Sequence, residues 1–253
     1  MTLLDVRELG VRFGGVVALD RVSFTVDAGE VVALIGPNGA GKTTLFNVIT
    51  RVYRPSSGSV LVDGQPVSRM PPHHVVRHGL ARTFQNVALF RSMSVLENVI
   101  VGDHTRTRSG WLESMIPMPG TVREEAKART RAMEMIDFVG LGDVAMRPVA
   151  ALPFGTQKRV ELARALVSKP RLLLLDEPAG GISHEEVDAT ARLLRRIHDE
   201  LGMTVLLVEH HMAFVMGISD RVVVLDFGRK IAEGSPGEVQ RNPAVIEAYL
   251  GAA

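Results

Sequence analysis

The chain has 253 residues and contains no cysteine. Without thiols it can form neither disulfide bonds nor thiolate metal sites, and a cysteine nucleophile is excluded. No stretch approaches the roughly 18 consecutive apolar residues that a membrane-spanning helix needs. No run of five or more like charges occurs and the formal net charge is +1, so the charge pattern does not favour a nucleic-acid partner. If this protein works at a membrane, we expect a partner to hold it there.

Short apolar segments alternate with helical patterns in the first and last parts of the chain. Such alternation predicts a mainly parallel sheet with right-handed crossover helices, which is an α/β fold. Near the N-terminus, Val60-Leu61-Val62 followed by Asp63-Gly64 predicts a β-hairpin. The predicted strands are residues 3–9, 22–26, 31–35, 172–175, 204–208 and 221–225.

The middle of the chain, residues 86–150, has helix signals instead. Residues 94–97 and 121–124 both have the Ser/Thr-x-x-Glu spacing of a capping box, which predicts that helices start there, the second ending at Val139. The helix predicted over residues 156–168 belongs to the last part of the chain, where it leads to the strand 172–175. We therefore expect a mostly helical segment between two segments that carry strands.

A glycine-rich loop follows the predicted strand 31–35 and leads into an apolar helix. Its sequence, Gly36-Pro37-Asn38-Gly39-Ala40-Gly41-Lys42-Thr43, fits the pattern G-x-x-x-x-G-K-[ST]. Glycines let main-chain N–H groups wrap closely around phosphates, and the helix presents its positive end to the same anion. Lys42 is expected to reach the β- and γ-phosphates, and the Thr43 hydroxyl to ligate Mg²⁺. The nucleotide-contacting residues predicted here are Asn38, Gly39, Ala40, Gly41, Lys42, Thr43 and Thr44.

The predicted strand 172–175 runs directly into two acidic residues, Asp176 and Glu177. Beside a phosphate loop, Asp176 is expected to hold Mg²⁺ through water, and Glu177 to polarise the attacking water. A strand that ends in solvated acids is the alternative interpretation, and the dipeptide alone is weak evidence. The phosphate loop upstream makes it strong, and Asp followed by Glu favours hydrolysis over phosphoryl transfer to a bound acceptor.

These motifs, in this order, resemble the ABC ATPase family over almost the whole chain. The family's distinguishing glycine motif corresponds here to Leu152-Pro153-Phe154-Gly155-Thr156-Gln157. The resemblance implies that Gly155 and Thr156 of one subunit close on ATP held by another subunit. Pro153 replaces the family's serine, and Thr156 replaces its first glutamine. A Pro-Gly loop that merely caps a helix is the alternative interpretation of this segment.

The resemblance assigns three further site residues. Gln85 matches the glutamine that senses Mg²⁺ and the attacking water, His210 the histidine that contacts the γ-phosphate, and Phe13 the aromatic residue that stacks on adenine. The alternatives are a polar strand end, a loop histidine and a core strand residue. Ser183 stands where a dimer-contact loop usually ends in aspartate, and we favour a helix N-cap there. The predicted catalytic residues are Glu177, His210 and Lys42, and the predicted metal ligands are Thr43, Gln85 and Asp176.

Within this family the chain is most similar to the ATPases of branched-chain amino-acid importers. That implies ATP and Mg²⁺ as cofactors and a peripheral position on the cytoplasmic face of the cell (inner) membrane. The implied partners are membrane permease subunits, a second ABC ATPase in a homo- or heterodimer, and indirectly an extracytoplasmic substrate-binding protein, with no nucleic acid. ATPases of urea or amide importers and of lipopolysaccharide export are similar enough to compete, and a soluble ABC ATPase is the other class. The similarity lies in Arg82-Thr83-Phe84-Gln85-Asn86, Val95-Leu96-Glu97-Asn98-Val99, Asp176-Glu177-Pro178-Ala179 and the end of the chain, 245–251.

The expected architecture is a P-loop NTPase of the ABC type. We expect one domain over residues 1–253, with an N-terminal antiparallel β subdomain. Its nucleotide-binding core would comprise residues 1–85 and 151–253, and an inserted helical subdomain would comprise residues 86–150.

Overall fold

A computed structural model of the chain describes residues 1–71, 75, 77–84, 87–104 and 119–250. The chain divides into two units, one formed by Met1–Gln85 with Arg171–Ala253 and the other by Asn86–Pro170. Within the described residues, no helix is both long and apolar enough to cross a membrane.

An antiparallel sheet occupies the N-terminal part of the first unit. Its strands are paired in the order β2-β1-β4-β5. The first hairpin is longer than predicted, because pairing continues to its tip, where Phe13 faces Val16. The predicted hairpin at Asp63-Gly64 is confirmed. The strands are β1 (Thr2–Phe13), β2 (Val16–Asp27), β4 (Ser57–Val62) and β5 (Gln65–Pro66).

The second sheet of this unit carries the site. Its strand order is β10-β9-β3-β8-β7-β6, and every neighbouring pair is parallel except β9 and β10. The central strands β3, β7 and β8 are buried at every residue, which explains why their sequences are almost entirely apolar. The strands are β3 (Val31–Ile35), β6 (Leu80–Arg82), β7 (Leu172–Asp176), β8 (Thr204–Val208), β9 (Arg221–Asp226) and β10 (Arg229–Gly234).

The topology has one consequence for the site. Because β3, β7 and β8 are neighbouring parallel strands, their carboxyl ends meet at one edge of the sheet. The glycine loop follows β3, Glu177 follows β7, and Glu209 and His210 follow β8. The carboxyl edge of a parallel sheet is where α/β proteins bind ligands. The predicted mainly parallel α/β fold with an antiparallel β subdomain is confirmed.

Five α-helices lie in the described part of the first unit. The capping box at the start of the helix His184–Leu201 is formed by Ser183 and Glu186, so Ser183 is the N-cap, as favoured from the sequence. Its glutamate accepts from the Ser183 main chain while the serine hydroxyl accepts from the Glu186 main chain. The helices are α1 (Lys42–Ile49), α5 (His184–Leu201), α6 (Met212–Ile218), α7 (Pro236–Gln240) and α8 (Pro243–Leu250).

Three helices form the described part of the second unit: α2 (Val95–Gly102), α3 (Pro119–Phe138) and α4 (Phe154–Leu166). The capping box that begins α2 at Ser94 is confirmed. The predicted start of α3 at Thr121 is wrong, because the helix already begins at Pro119. Proline suits a first helical position, where its missing N–H costs nothing.

The start and the surroundings of α4 also differ from the prediction. The helix begins at Phe154, two residues before the predicted residue 156, and Pro153 is its N-cap. Because α4 packs against α2 and α3, the second unit extends to Pro170 and includes the glycine motif. The expected boundary at residue 150, between the helical subdomain and the nucleotide-binding core, stays a prediction.

The turn between β9 and β10 is hydrogen-bonded to the glycine loop. Gly228 N donates to Ala40 O at 3.1 Å, and Asp20 N donates to Gly228 O at 2.8 Å. Gly228 has φ +77°, and a Cβ there would lie 2.7 Å from Ala18 O. The turn and β2 are therefore in direct contact, and a side chain at Gly228 would push them apart.

This contact predicts that Gly228→Ala destabilises the chain more than Gly202→Ala. Gly202 also has positive φ, +60°, but nothing lies within 4 Å of its Cβ position. We expect a loss of about 1–2 kcal/mol at Gly202, from the left-handed backbone alone. At Gly228 we expect about 1–3 kcal/mol more, from the main-chain clash. Urea denaturation measures both, and equal losses would contradict the packing described here.

Candidate active site

The glycine loop wraps around the Lys42 side chain. The Lys42 ammonium donates to Gly36 O at 2.6 Å and to Pro37 O at 2.8 Å. Gly41 caps α1 with φ +99°, and a Cβ there would lie 2.7 Å from Ala18 O, so only glycine fits. The loop thus places a lysine ammonium at the start of a helix.

Electrostatics at this helix start favour an anion. Burial lowers the pKa of Lys42, and the negative charges of Glu177 and Asp176 oppose that shift. The first turn of α1 contains no acidic residue, so its unpaired N–H groups and the helix dipole keep their positive field. Among the loop residues, Asn38, Gly39 and Thr43 are exposed, Lys42 and Thr44 are half-buried and Ala40 is buried.

Asp176 forms a buried ion pair at the end of β7. Arg82 Nη2 donates to Asp176 Oδ2 at 2.8 Å, and the two side chains are 7% and 5% exposed. Nη1 of the same guanidinium donates to Asn47 Oδ1 at 2.8 Å and to Thr50 Oγ1 at 3.1 Å. Arg82 therefore connects the carboxylate to the C-terminal part of α1.

Two aromatic rings flank the same guanidinium. Its central carbon lies 5.5 Å from the centroid of Phe46 and 5.0 Å from that of Phe84, within the range of a cation–π contact. Sequence reasoning gave Arg82 no role, although it stands in the run that carries the family resemblance. The only local signal was a charged residue at the end of an apolar strand. Gln85, the predicted sensor three positions on, lies outside the described residues.

Glu177 and His210 face each other across the ends of β7 and β8. Glu177 N donates to Val208 O at 2.9 Å, and Glu177 has φ +50°, which is unusual for glutamate. His210 Nδ1 lies 4.0 Å from Glu177 Oε1, and the imidazole is exposed. The structure thus brings Lys42, Asp176, Glu177 and His210 to one edge of the sheet.

Phe13 lies at the tip of the first hairpin and pairs with another aromatic residue. Its ring centroid is 5.2 Å from that of Tyr53, with the ring planes at 72°. Phe13 is 46% exposed, so the alternative of a core strand residue does not hold. An exposed aromatic pair of this kind can stack on a flat heterocycle.

The second unit carries the glycine motif at the start of α4. Gly155 and Thr156 lie in its first turn, whose N–H groups have no helical partner and which contains no acidic residue. Arg159 Nη2 donates to Thr156 Oγ1 at 3.4 Å, and the Lys158 ammonium lies 5.4 Å from the Phe154 ring. Within its own unit, this helix start is also suited to an anion.

Similarity to known protein families identifies the family to which the chain belongs. Residues 19–180 match the family model described as ABC transporter, and residues 229–253 match the model described as branched-chain amino acid ATP-binding cassette transporter. The chain belongs to the ABC transporter ATP-binding family. As a member, this ABC protein binds ATP and hydrolyses it.

Individual relatives agree with this membership. The ABC protein is 41% identical to the high-affinity branched-chain amino acid transport ATP-binding protein BraF of Pseudomonas aeruginosa, over 99% of this chain and 98% of BraF. A crystal structure of the ADP conformation of an ATP-binding cassette of an ABC transporter superposes with a TM-score of 0.85 at 30% identity, covering 99% of each chain. A dimeric cassette in a post-hydrolysis state, bound to ADP and Pi, gives 0.78 at 25% identity over 92% of this chain and 99% of that one.

The buried pair predicts a strong energetic coupling between Arg82 and Asp176. Arg82→Met leaves the Asp176 charge buried without its partner, so we expect a loss of about 3–5 kcal/mol in the free energy of unfolding. Adding Asp176→Asn removes that charge and should restore part of the loss. Urea denaturation of both single variants and the double variant measures the coupling.

Arg171→Met is the matched control, because its ion pair with Asp63 is exposed. An exposed pair contributes about 0–1 kcal/mol, so the control should unfold nearly as the wild type does. Additive losses in the Arg82 and Asp176 variants would contradict the coupling.

Proposed function

We propose that this chain is the ATP-hydrolysing subunit of an importer for branched-chain amino acids. The observation that carries the proposal is the convergence of Lys42, Asp176, Glu177 and His210 at one sheet edge. The C-terminal match over residues 229–253 and the similarity to BraF support the substrate class. The partners are membrane permease subunits, a second ABC ATPase and, indirectly, an extracytoplasmic binding protein, and the chain lies on the cytoplasmic face of the membrane.

The first step of the proposed mechanism is nucleotide binding. The main-chain N–H groups of the glycine loop and the start of α1 hold the phosphates, Lys42 pairs with the β- and γ-phosphates, and Phe13 stacks on adenine. The donor set also fits Mg²⁺, which prefers oxygen ligands and retains several waters. Thr43 offers an exposed hydroxyl. Among the described residues Asp176 is bonded through Oδ2, so Oδ1 can face a hydrated metal. When bound, Mg²⁺ neutralises phosphate charge, and Gln85 is the third proposed ligand.

The second step is hydrolysis. Glu177 accepts the proton of the attacking water, and His210 contacts the γ-phosphate from the neighbouring strand end. Because His210 Nδ1 lies 4.0 Å from Glu177 Oε1, the two side chains can contact the same phosphate and its attacking water. A pair of cassettes closes around two ATP molecules, each held between one glycine loop and the α4 start of the other subunit. Gly155 and Thr156 supply the main-chain donors there, so the missing serine at Pro153 is not required.

Glu177→Gln should leave ATP affinity near that of the wild type and lower the rate of hydrolysis about 10²- to 10⁴-fold. The amide keeps the size of the side chain but cannot accept the proton of the water. Steady-state turnover and equilibrium ATP binding measure the two effects. The exposed Glu200→Gln is the matched control and should turn over at the wild-type rate. Turnover near the wild-type rate in Glu177→Gln would remove the role proposed for this residue.

The proposed permease contact is the segment just after Gln85. Phe90 is 50% exposed although its main chain is held in place. Phe90 N donates to Asn98 Oδ1 at 2.8 Å, and Asn98 Nδ2 donates to Phe90 O at 3.0 Å. Met93 is also exposed, whereas Leu89 is half-buried. An exposed aromatic ring on a fixed backbone is typical of a binding hot spot.

Phe90→Asp should weaken association with the co-expressed membrane subunits about tenfold or more, because a charge would replace an apolar anchor. The change is measured by co-purification of the chain with the detergent-solubilised permease at a series of permease concentrations. The affinity for ATP should stay constant. Met146→Asp is the control, because Met146 is an exposed apolar residue of the same unit outside this segment. An equal loss in the control, or a lowered melting temperature in Phe90→Asp alone, would contradict the proposed contact.

A further inference from the structure

Glu209 is a buried carboxylate that the mechanism above does not use. It follows β8 directly and precedes His210, and its side chain is 0% exposed. Burying a charge without compensation is costly, so the partners of this carboxylate must account for its position. A charged residue at this place has no sequence signal beyond an acid that follows an apolar strand.

Three main-chain N–H groups from two loops bond to this carboxylate. Ala179 N donates to Oε1 at 2.7 Å. His210 N and His211 N donate to Oε2 at 3.0 and 3.2 Å. Among the described residues, its charge is therefore met by N–H dipoles, and its nearest ionisable base is the His210 imidazole, with Nδ1 at 4.0 Å from Oε2.

One oxygen of Glu209 thus holds the loop after β7, and the other holds the loop after β8. The first loop begins at Glu177, whose φ of +50° is unfavourable for a residue with a Cβ. Surrounding bonds must maintain such a conformation. Gly180 N donates to Glu177 O at 3.0 Å within the loop, and the bond from Ala179 to Glu209 attaches the same loop to the neighbouring strand end.

We propose that Glu209 is a positioning residue that fixes the loop carrying Glu177 against the loop carrying His210. The inference rests on the roles proposed above for Glu177 and His210. A group that activates water must be held in a narrow range of positions, because a displacement of about 1 Å can cost about 10²-fold in rate. Glu209 touches neither substrate nor the reacting atoms, so its effect passes through the two loops.

The chemistry of the carboxylate makes an isosteric test possible. A carboxylate accepts hydrogen bonds at both oxygens, whereas a glutamine has one oxygen and one NH₂ group. In Glu209→Gln the amide oxygen can accept from one loop only, and its NH₂ group must then face an N–H of the other. The variant keeps the volume of the side chain but breaks the connection between the loops.

We expect Glu209→Gln to lower kcat about 10- to 10²-fold while KM for ATP and equilibrium ATP affinity stay within about twofold of the wild type. Hydrogen–deuterium exchange on the full chain without nucleotide provides a readout independent of activity. Exchange of the peptide that contains residues 177–180 should accelerate, because Ala179 N–H loses its acceptor or competes for it. The exposed Glu200→Gln is the control for the chemical change and should alter neither measurement.

The Glu177→Gln background separates positioning from general destabilisation. If Glu209 acts through Glu177, Glu209→Gln should lower the residual rate of Glu177→Gln by much less than it lowers the wild-type rate. The same factor in both backgrounds, a fall in ATP affinity as large as that in kcat, or unchanged kcat would each overturn the inference.

Misfolding of the variant, failure of the role of Glu177 and failure of the role of Glu209 give different results. If Glu209→Gln does not fold, Glu209→Asp retains a carboxylate on a shorter side chain, and it should show the same selective loss of kcat with faster exchange at residues 177–180. Unchanged kcat in that variant would overturn the inference. Turnover near the wild-type rate in Glu177→Gln would overturn the role of Glu177 and this inference with it. Wild-type kcat in Glu209→Gln alone would overturn only the inference.

Discussion

Burial of carboxylates at the carboxyl edge of the parallel sheet is the constraint on which the site depends. Asp176 and Glu209 end neighbouring strands, and both side chains are removed from water. Each needs compensation, and the two solutions differ. Asp176 pairs with the guanidinium of Arg82, whereas Glu209 accepts three main-chain N–H groups. The bonds to Glu209 join the loops in which Glu177 and His210 lie.

Main-chain N–H groups and Lys42 form the positive side of the site at the same sheet edge. The glycine loop after β3 leads into α1, whose first turn lacks acidic residues, and Lys42 is held by two loop carbonyls. The turn at Gly228 supports this loop through the Ala40 carbonyl. Unpaired N–H groups and the Lys42 ammonium therefore lie at the same sheet edge as the carboxylates of Asp176 and Glu177. Such an arrangement of charge suits phosphoryl chemistry, in which a nucleophile approaches an anion.

The second unit also has a helix start whose main-chain N–H groups can bind an anion. At α4 the N-cap is Pro153, which has no N–H, and the first turn contributes main-chain donors without a serine hydroxyl. Arg159 and Lys158 add positive charge beside it. The departure from the usual family motif therefore removes the serine hydroxyl and one main-chain N–H, and it leaves the N–H groups of the first turn as the donors that an anion needs.

Much of the fold was predictable from local patterns. Five-residue runs rich in valine and leucine identified β3 and β8 at their observed bounds, because strands buried on both faces consist mainly of apolar residues. Ser94 and Ser183 were recognised as caps from the glutamate three residues on. Local patterns failed where two signals competed. Thr121 had the spacing of a cap, but Pro119 began the helix.

The sequence by itself determined the chemistry of the site: the glycine loop with Lys42 and the acidic pair Asp176-Glu177 are contiguous motifs, and each can be recognised without knowing what lies beside it. Only the tertiary structure decided which side chains hold those motifs in place. Arg82 and Asp176 are 94 residues apart, and Ala179 and Glu209 are 30 apart. They meet because β7 lies between β6 and β8, and that order follows from the packing of the whole sheet, which no local pattern encodes.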